Sequence, residues 1–459
     1  MGSLSPQKPI IIGAAYPLSG HTGGPLQVAG HLASRGYKVY FITGPYYKDS
    51  TEKLGITYVE NNYQLNEKYV QERMQIPDLG VRIAEDLKHF FGDAIVISHQ
   101  LLRYTLELVR AQHPDHTVVL LHEVMFMGLL PFVHGAPLPK GYTSLPPTIN
   151  FATHNNPIPD PSLPPFGPGL PYDPTPENKA LWKTIYDSLA PMDTLINTHW
   201  TSLMRPLGAT RPLTGSFWTT VMTLGDVTVQ PTSPSTEYPH PPTSHKFAFI
   251  GGLPLKPLSP SYTPPPWFST LQSNSSLPLT SPNRKKVIFL TQGTVSPDYT
   301  QLILPGITAL SPDPSLLVIA TLGQRGASLS LPFAQPANVH IADYLPYDLI
   351  LSHTDVFVSN GGYNSFMHGV MNGVPMVLAG MDADKGEVAA RGEWCGVAVN
   401  LRSGTPEGEE IRRAVGRVLA EKRFKERAVE LRVENERLGA LGRVEGIIEG
   451  LVKGSIIDN

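Results

Sequence analysis

The chain is 459 residues long, 41% hydrophobic and 16% charged, with a formal net charge of −3. That length exceeds what a single core fills, so two domains of roughly 200 residues each are expected, and the near-neutral balance excludes a polyanion-binding surface and with it a nucleic-acid partner. One cysteine, Cys395, excludes a disulfide framework and a Cys-rich metal site and suits a reducing compartment.

In chain order, the N-terminus lacks the basic flank and cleavage region of a secretory signal, and Ser5 followed by Pro6 breaks the myristoylation pattern. No window reaches the roughly 18 apolar residues of a membrane span, including the last residues, 456–459, so a cytoplasmic protein without a span is expected. Residues 10–15 read as a buried strand, followed by a glycine-rich turn at 17–25, a helix over 25–35 with Leu26, Ala29, Leu32 and Ala33 on one face, and a strand at 38–42. This is a βαβ unit, whose parallel pairing needs a crossover helix. Helices are expected near 81–91 and 101–112, a strand at 117–121, a helix at 177–189 and a strand at 194–198. Fourteen prolines between 131 and 176 and eleven between 231 and 266 rule out element interiors there. The first stretch is read as a long loop laid over the N-terminal domain and the second as the interdomain connection. The alternation then resumes, with strands at 287–290, 316–320, 339–341, 355–359, 374–378 and 396–401 and helices after Pro297, from Tyr363 and after Asp384. The tail over 412–453 is helical, with Phe424, Leu431, Leu438, Leu441, Ile447 and Leu451 spaced to face a core. The expected division is an N-terminal domain at 1–230, a connection at 231–266, a second domain at 267–425 and a terminal helix at 426–459.

Two doubly wound α/β domains facing each other put the carboxyl ends of both sheets at a shared cleft, where open sheets bind ligands. Three loops fall at such ends. The segment 17–25, PLSGHTGGP, sets His21 among glycines just past the first strand, poorly placed for packing and well placed to take a proton from a bound hydroxyl near neutrality. The second loop is Gln292-Gly293-Thr294. The third is 356–364, VFVSNGGYN, in which an apolar run ends in Asn360-Gly361-Gly362 ahead of a helix-permissive stretch. A hydroxyl and unblocked backbone N–H groups at a helix N-terminus bind a diphosphate without lysine or metal. The spacing in SGHTGGP is not that of a G-x-G-x-x-G turn, which argues against a dinucleotide oxidoreductase.

These residues resemble a known family. The opening GHTGGPLQVAGHLASRGYKVYFIT and, more specifically, the run from 344 to 401 that begins YLPYDLILSHTDVFVSNGGYN are similar to the N-terminal motif and donor signature of the family 1 glycosyltransferases. The resemblance covers most of the chain and points to the fungal and bacterial small-molecule branch. It implies the GT-B fold, with two Rossmann-like domains facing a central cleft. It also implies transfer of a sugar from a nucleotide-sugar donor to a hydroxyl of a small lipophilic acceptor, with inversion and with neither metal nor cofactor. UDP-glucose is the donor favoured by family frequency. Residue by residue, the resemblance implies His21 as catalytic base, oriented by Glu123 in LLHEVMFMG, with Asp78 or His122 as alternatives. It implies Tyr344 stacked on the nucleotide base, Gly293, Thr294, Gly361, Gly362 and Ser365 on the diphosphate, Asn364 near the sugar, and Asp384 with Lys385 on sugar hydroxyls.

The departures matter as well. Asn360 stands where the family has a phosphate-binding histidine, His368 replaces the acid that grips the ribose, and Lys385 replaces a glutamine with a group that cannot accept a hydrogen bond. They keep open a catalytically degenerate nucleotide-sugar binder; an epimerase or hydrolase of the same fold is the other alternative. Asp382-Ala383-Asp384 spells a metal-binding DxD, but its place inside the donor signature argues against metal. His31, His89 and His154 lack a paired ligand spacing and are expected at the surface or in packing. Phe126, Phe132, Phe151 and Phe166, with Met125, Met127 and Tyr172, suit either a flat lipophilic acceptor or packing of the proline-rich loop onto its own domain. The terminal helix is expected to brace the N-terminal domain, and the protein to be a monomer or weak dimer.

Overall fold

The computed structural model describes residues 7–259, 262–294, 296 and 298–455; the expectations for the extreme N-terminus, Pro297 and 456–459 fall outside the described residues. The first sheet contains β1 (Ile10–Ala14), β2 (Val39–Thr43), β3 (Thr57–Glu60), β4 (Val118–Glu123), β5 (Thr148–Phe151), β6 (Val227–Gln230) and β7 (Lys246–Phe249). The second contains β8 (Lys286–Thr291), β9 (Leu316–Thr321), β10 (Val339–Ala342), β11 (Val356–Ser359), β12 (Met376–Leu378) and β13 (Ala398–Asn400). Their orders are β3-β2-β1-β4-β5-β6-β7 and β10-β9-β8-β11-β12-β13, and every pairing is parallel. Parallel strands need helices on both faces, which is why their sequences read as apolar runs and not as alternation. All five residues of β1 are buried accordingly. Ile10, Ile12 and Ala14 face a cluster with Leu102, Leu106 and Trp200, while Ile11 faces another with Leu32, Val444 and Ile448.

That second cluster brings the end of the chain to its beginning. Helix Lys422–Leu438 packs Ala428 and Leu431 with Phe366 and Val370 of the second sheet's cover. Gly439, at φ +65, then breaks the run, and helix Ala440–Lys453 lays Ala440, Val444, Ile447 and Ile448 onto the first sheet. A left-handed residue at a helix end is where glycine avoids a Cβ penalty.

Several expected elements differ. The helix read at 25–35 starts at Ser19, so His21 lies in its first turn and not in a loop; Pro25 is accommodated inside it. The helix at 177–189 and strand at 194–198 are one helix, Pro176–Met204, containing Pro191. Ile196, Trp200 and Met204, all fully buried, recur every four residues, a helical period that a five-residue window hides. The proline-rich stretch at 131–176 holds β5, and the stretch read as a connection at 231–266 holds β7, one of the two edge strands of the first sheet. Four-residue strands between prolines carry too little periodicity to separate from loop.

Ile448 is fully buried between the last helix and the first sheet. Ile448→Ala is expected to lower stability by about 2–5 kcal/mol, read as a reduced midpoint in urea with an unchanged circular dichroism spectrum in water. A loss below about 1 kcal/mol would mean that this helix contributes little to holding the chain together.

Candidate active site

In both sheets the chain reverses beside its first strand, between β1 and β4 and between β8 and β11. Such switch points open a crevice at the carboxyl ends of the strands. His21 follows β1, Glu123 ends β4, Gly293 and Thr294 follow β8, and Asn360, Gly361 and Gly362 follow β11. The two crevices touch: the Asn364 side-chain amide donates to the Gly20 carbonyl at 3.0 Å, and the Ser19 and Thr294 hydroxyls lie 3.5 Å apart.

His21 Nδ1 is 2.8 Å from Glu123 Oε1, which also accepts the Thr153 hydroxyl at 2.8 Å. Glu123 is fully buried. Burial works to lower the pKa of His21, but the charge and hydrogen bond of Glu123 outweigh it and the net shift is upward. Burial conversely works to raise the Glu123 pKa, and the facing imidazole and the Thr153 hydroxyl leave it lowered. With Nδ1–H donating to the carboxylate, Nε2 is the nitrogen left as a proton acceptor. The alternatives to Glu123 are otherwise engaged: Asp78 caps helix Leu79–Asp86 by accepting the Val81 N–H, and burial drops the His122 pKa to about 4 while its Nδ1 meets the Glu123 backbone carbonyl. Tyr16 and Phe91 flank His21 edge-on at 5.7 and 5.5 Å.

Across the cleft, Gly362 is the residue before helix Tyr363–Met371, and Gly361 holds φ +78, so backbone N–H groups meet at a helix start. Asn360 is buried, with its side-chain amide donating to the Gln292 carbonyl at 2.5 Å, and so ties the third loop to the second. Gly293, at φ +76, approaches this amide without a Cβ. Ser365 sits in the first turn of the same helix, and His368, farther along, has its Nδ1 2.7 Å from Asp348 Oδ1. Tyr344 is 37% exposed, with the Arg325 guanidinium 4.5 Å over its ring.

Asp384 immediately precedes helix Lys385–Trp394, and burial raises its carboxyl pKa. The residue before it, Ala383, holds φ +53, a strained conformation of the kind that gathers at functional sites. Asp382 is taken by Arg82 at 3.0 Å, so the two carboxylates of the DxD are engaged differently. The Lys385 backbone N–H donates to the Asp382 carbonyl at 3.1 Å, and its charge works to lower the Asp384 pKa against the effect of burial.

The expected acceptor residues divide. Phe126, Phe132 and Phe151 are at most 5% exposed and belong to the cores on either face of the first sheet, so packing, not ligand contact, explains them; Phe132 lies against His99 and Phe151 beneath Gly24. Phe166 alone is half-buried, 5.1 Å from Trp218 and 6.0 Å from His154. A cavity of about 390 Å³ is lined by Tyr16, Leu18, Tyr63 and Leu65, and the Tyr16 ring separates it from His21, 5.7 Å away.

Thr153, Asp348, Glu387 and Arg391 carry no signal in the sequence, and His154 is expected from it only at the surface or in packing. Thr153 and His154 follow β5, a strand concealed by prolines, and only recognising that strand would have put them at the cleft. His154 is buried, its Nδ1 bonded to the Asn155 carbonyl at 2.8 Å and its pKa lowered by burial, with Nε2 lacking a partner among the described residues.

Residues 317–439 match the family model "erythromycin biosynthesis protein CIII-like, C-terminal domain". The chain is 35% identical over 445 residues to UDP-glucosyltransferase 1 of Beauveria bassiana (strain ARSEF 2860), covering 95% of this chain and 94% of that one. It is 30% identical over 467 residues to UDP-glucosyltransferase B1 of Starmerella bombicola, covering 97% and 99%. The crystal structure of the glycotransferase of kitacinnamycin superposes with a TM-score of 0.68 at 17% identity, over 97% of this chain and 100% of that one, a likeness of fold.

Replacing Glu123 by Gln removes the charge that does most to raise the His21 pKa and leaves burial opposed only by the more weakly acting Asp384. The His21 resonances followed by NMR are expected to titrate above the usual 6.5 in the native chain and clearly lower in Glu123→Gln. An unchanged titration would break the pairing.

Proposed function

The chain belongs to the family 1 glycosyltransferases of the GT-B fold, and from that premise we propose that it moves glucose from UDP-glucose, with inversion, onto a hydroxyl of a small lipophilic natural product. The coarser activity, glycosyl transfer from a nucleotide-sugar donor to a natural-product acceptor, is the family's own. The observation that carries the finer reading is the 2.8 Å contact between His21 and Glu123, set across a touching cleft from the Asn360-Gly361-Gly362 loop.

In this reading His21 Nε2 takes the acceptor O–H proton while the acceptor oxygen attacks the anomeric carbon from the face opposite the diphosphate. The anomeric carbon–oxygen bond to the diphosphate breaks as the new one forms, so an α-linked donor gives a β-glycoside. The imidazolium that results rests against the Glu123 carboxylate, which also holds the ring in the useful tautomer. The negative charge that builds on the departing nucleotide meets the backbone N–H groups at the start of helix Tyr363–Met371 and the hydroxyls of Thr294 and Ser365. Tyr344 offers its ring to the base, and Asp384 and Lys385 offer an acceptor and a cation to the sugar hydroxyls. Asn364 lies beside them, bonded to Gly20. Asn360 shapes the loop through Gln292 instead of binding phosphate with a charge. His368 brings Asp348 with it, which supports a carboxylate near the ribose despite the substitution.

We assign acceptor binding to 1–230 and donor binding to 267–425, in a cytoplasmic monomer or weak dimer. Among the described residues, no helix is long and apolar enough to cross a membrane.

Thermal-shift measurements with UDP, GDP, dTDP and UDP-glucose test the donor side. UDP and UDP-glucose at about 100 times their dissociation constant should add roughly 2.7 kcal/mol of stability, and failure of every nucleotide to shift the transition would overturn the reading. His21→Ala should keep the UDP shift and lose more than nine-tenths of turnover, in line with the roughly 10²- to 10⁴-fold contribution of a general base. Turnover above a tenth of the native rate would remove His21 from that role.

A further inference from the structure

Outside the cleft, the structure gathers a second set of chemically capable groups. The segment that follows helix Leu79–Asp86 is a π-helical turn, Leu87–Gly92, which ends beside Asp93. Single π-turns are rare and are frequent at functional sites. The turn puts His89 Nδ1 3.0 Å from Asp93 Oδ2, while His199, carried in from helix Pro176–Met204, sets its Nε2 2.8 Å from Asp93 Oδ1. One ligand atom from each of the three residues lies within 4.8 Å of the other two, and the imidazole rings are 5.5 Å apart. The side chains are 24–34% exposed, which leaves an entry path and a free position.

The scaffold under this cluster is rigid. The Trp200 indole N–H donates to the Leu87 carbonyl at 3.1 Å, and a Cβ on Gly92 would fall 2.3 Å from that indole nitrogen. Only glycine lets the turn approach the helix so closely, and the approach sets His199 against His89 and Asp93.

The hydrogen-bond arithmetic points to a cation. His89 has a carboxylate on each nitrogen: Asp93 at Nδ1, and Glu85 Oε2 at 3.2 Å from Nε2. A neutral imidazole has one N–H, so one of these contacts would set a lone pair against a carboxylate oxygen. Either a second ring proton or a metal ion at Nδ1 removes the conflict, and with the metal in place Nε2–H donates to Glu85. A carboxylate on the outer nitrogen of a metal-bound histidine is the usual supporting arrangement. Two imidazoles and one carboxylate with an open position suit zinc or a neighbouring divalent transition ion, and not calcium or magnesium, which prefer all-oxygen sites.

We propose that His89, Asp93 and His199 bind one divalent transition-metal ion of the zinc class, with Glu85 orienting His89 and a fourth position open to water. The ion has no part in glycosyl transfer. It fastens the π-turn to helix Pro176–Met204, and that turn carries Phe91, 5.5 Å from the His21 ring, and the Phe90 carbonyl that accepts the Tyr16 hydroxyl. Its occupancy therefore stiffens the wall beside the catalytic base.

The test uses full-length, tag-free protein stripped with chelator and titrated with zinc chloride by calorimetry, with cobalt(II) as a spectroscopic probe. One equivalent is expected to bind, to raise the melting temperature, and to give cobalt(II) visible absorption of low-coordinate nitrogen–oxygen ligation. The double variant His89→Gln/His199→Gln should bind at least tenfold more weakly while keeping the UDP shift of the native protein. Equal zinc affinity in the double variant would overturn the proposal, as would a native protein that binds no zinc at micromolar concentration; the cluster would then be a hydrogen-bonded network on Asp93. Should the double variant fail to fold, the cobalt(II) spectrum of the native protein decides, and its absence overturns the site.

Discussion

The strand order of the two sheets constrains everything else about the site. Because β1 lies between β2 and β4, and β8 between β9 and β11, the helices that follow neighbouring strands leave to opposite faces at those points and open a gap between them. The register levels the strand ends, pairing Ala14 with His122 in one sheet and Ser359 with Thr291 in the other. A residue just past β1 must then meet one at the end of β4, although His21 and Glu123 are 102 positions apart. The same rule joins Asn360 to Gln292 across 68 positions. No side-chain preference needs to find these partners, since the parallel backbone ladder delivers them.

What keeps the two crevices opposite each other is a buried ion triad. The Arg391 guanidinium, 4% exposed, bonds Glu237, from the segment between β6 and β7 of the first sheet, through Nε and Glu387 through Nη1 at 2.8 Å. Removing one partner from such a group leaves a buried charge uncompensated, which costs about 3–5 kcal/mol. Glu387 uses its other oxygen to accept the N–H groups of Gly167 and Gly169 at 2.8 and 2.7 Å. Gly169 holds φ +66, and a Cβ there would lie 2.8 Å from the Gly386 carbonyl group, so glycine is required for the contact. The proline-rich segment is therefore bolted to the start of the helix that follows Asp384, and is not a lid resting on its own domain. The backbone of the proline-rich segment and the charges of helix Lys385–Trp394 share one buried network, so a shift in either is felt by both.

Much of this was legible in the residues themselves. The apolar runs of β1, β4, β8 and β11 fall where expected, and His21 and the Asn360 loop stand out in the sequence because glycines beside a strand end have few packing roles. Glu123 needed the family resemblance, since one carboxylate after an apolar run is otherwise unremarked. What escaped was of two kinds. Short strands among prolines, β5 and β7, were hidden because four residues carry almost no period, and Thr153 and His154 were lost with them. Partners fixed only by tertiary contact, such as Asp348 to His368, Glu387 to Gly167 and His199 to Asp93, have sequence separations that no local spacing encodes. Aromatic character misled in the opposite direction: Phe126, Phe132 and Phe151 look like acceptor contacts because cores and apolar pockets use the same side chains.

The substitutions that made a degenerate protein conceivable look different once their neighbours are known. His368 does not simply delete an acid, because Asp348, from helix Tyr347–Leu351, bonds its Nδ1 and accepts from Asn372, leaving a carboxylate beside that helix face. Asn360 supplies an amide that ties the loop after β11 to the loop after β8. Meanwhile the shifts around the cleft have two causes: burial raises Asp384 and lowers His154, whereas His21 rises and Glu123 falls because their mutual attraction outweighs the burial that opposes each shift. Burying a carboxylate is unfavourable unless it is paired, and structural ion pairs usually sit where they hold elements together, as Arg391 does. The His21–Glu123 pair bridges only two adjacent strand ends that the sheet already holds. Its burial contributes little that the backbone ladder lacks, and a perturbed pair with so small a structural task supports the proton transfer proposed for it.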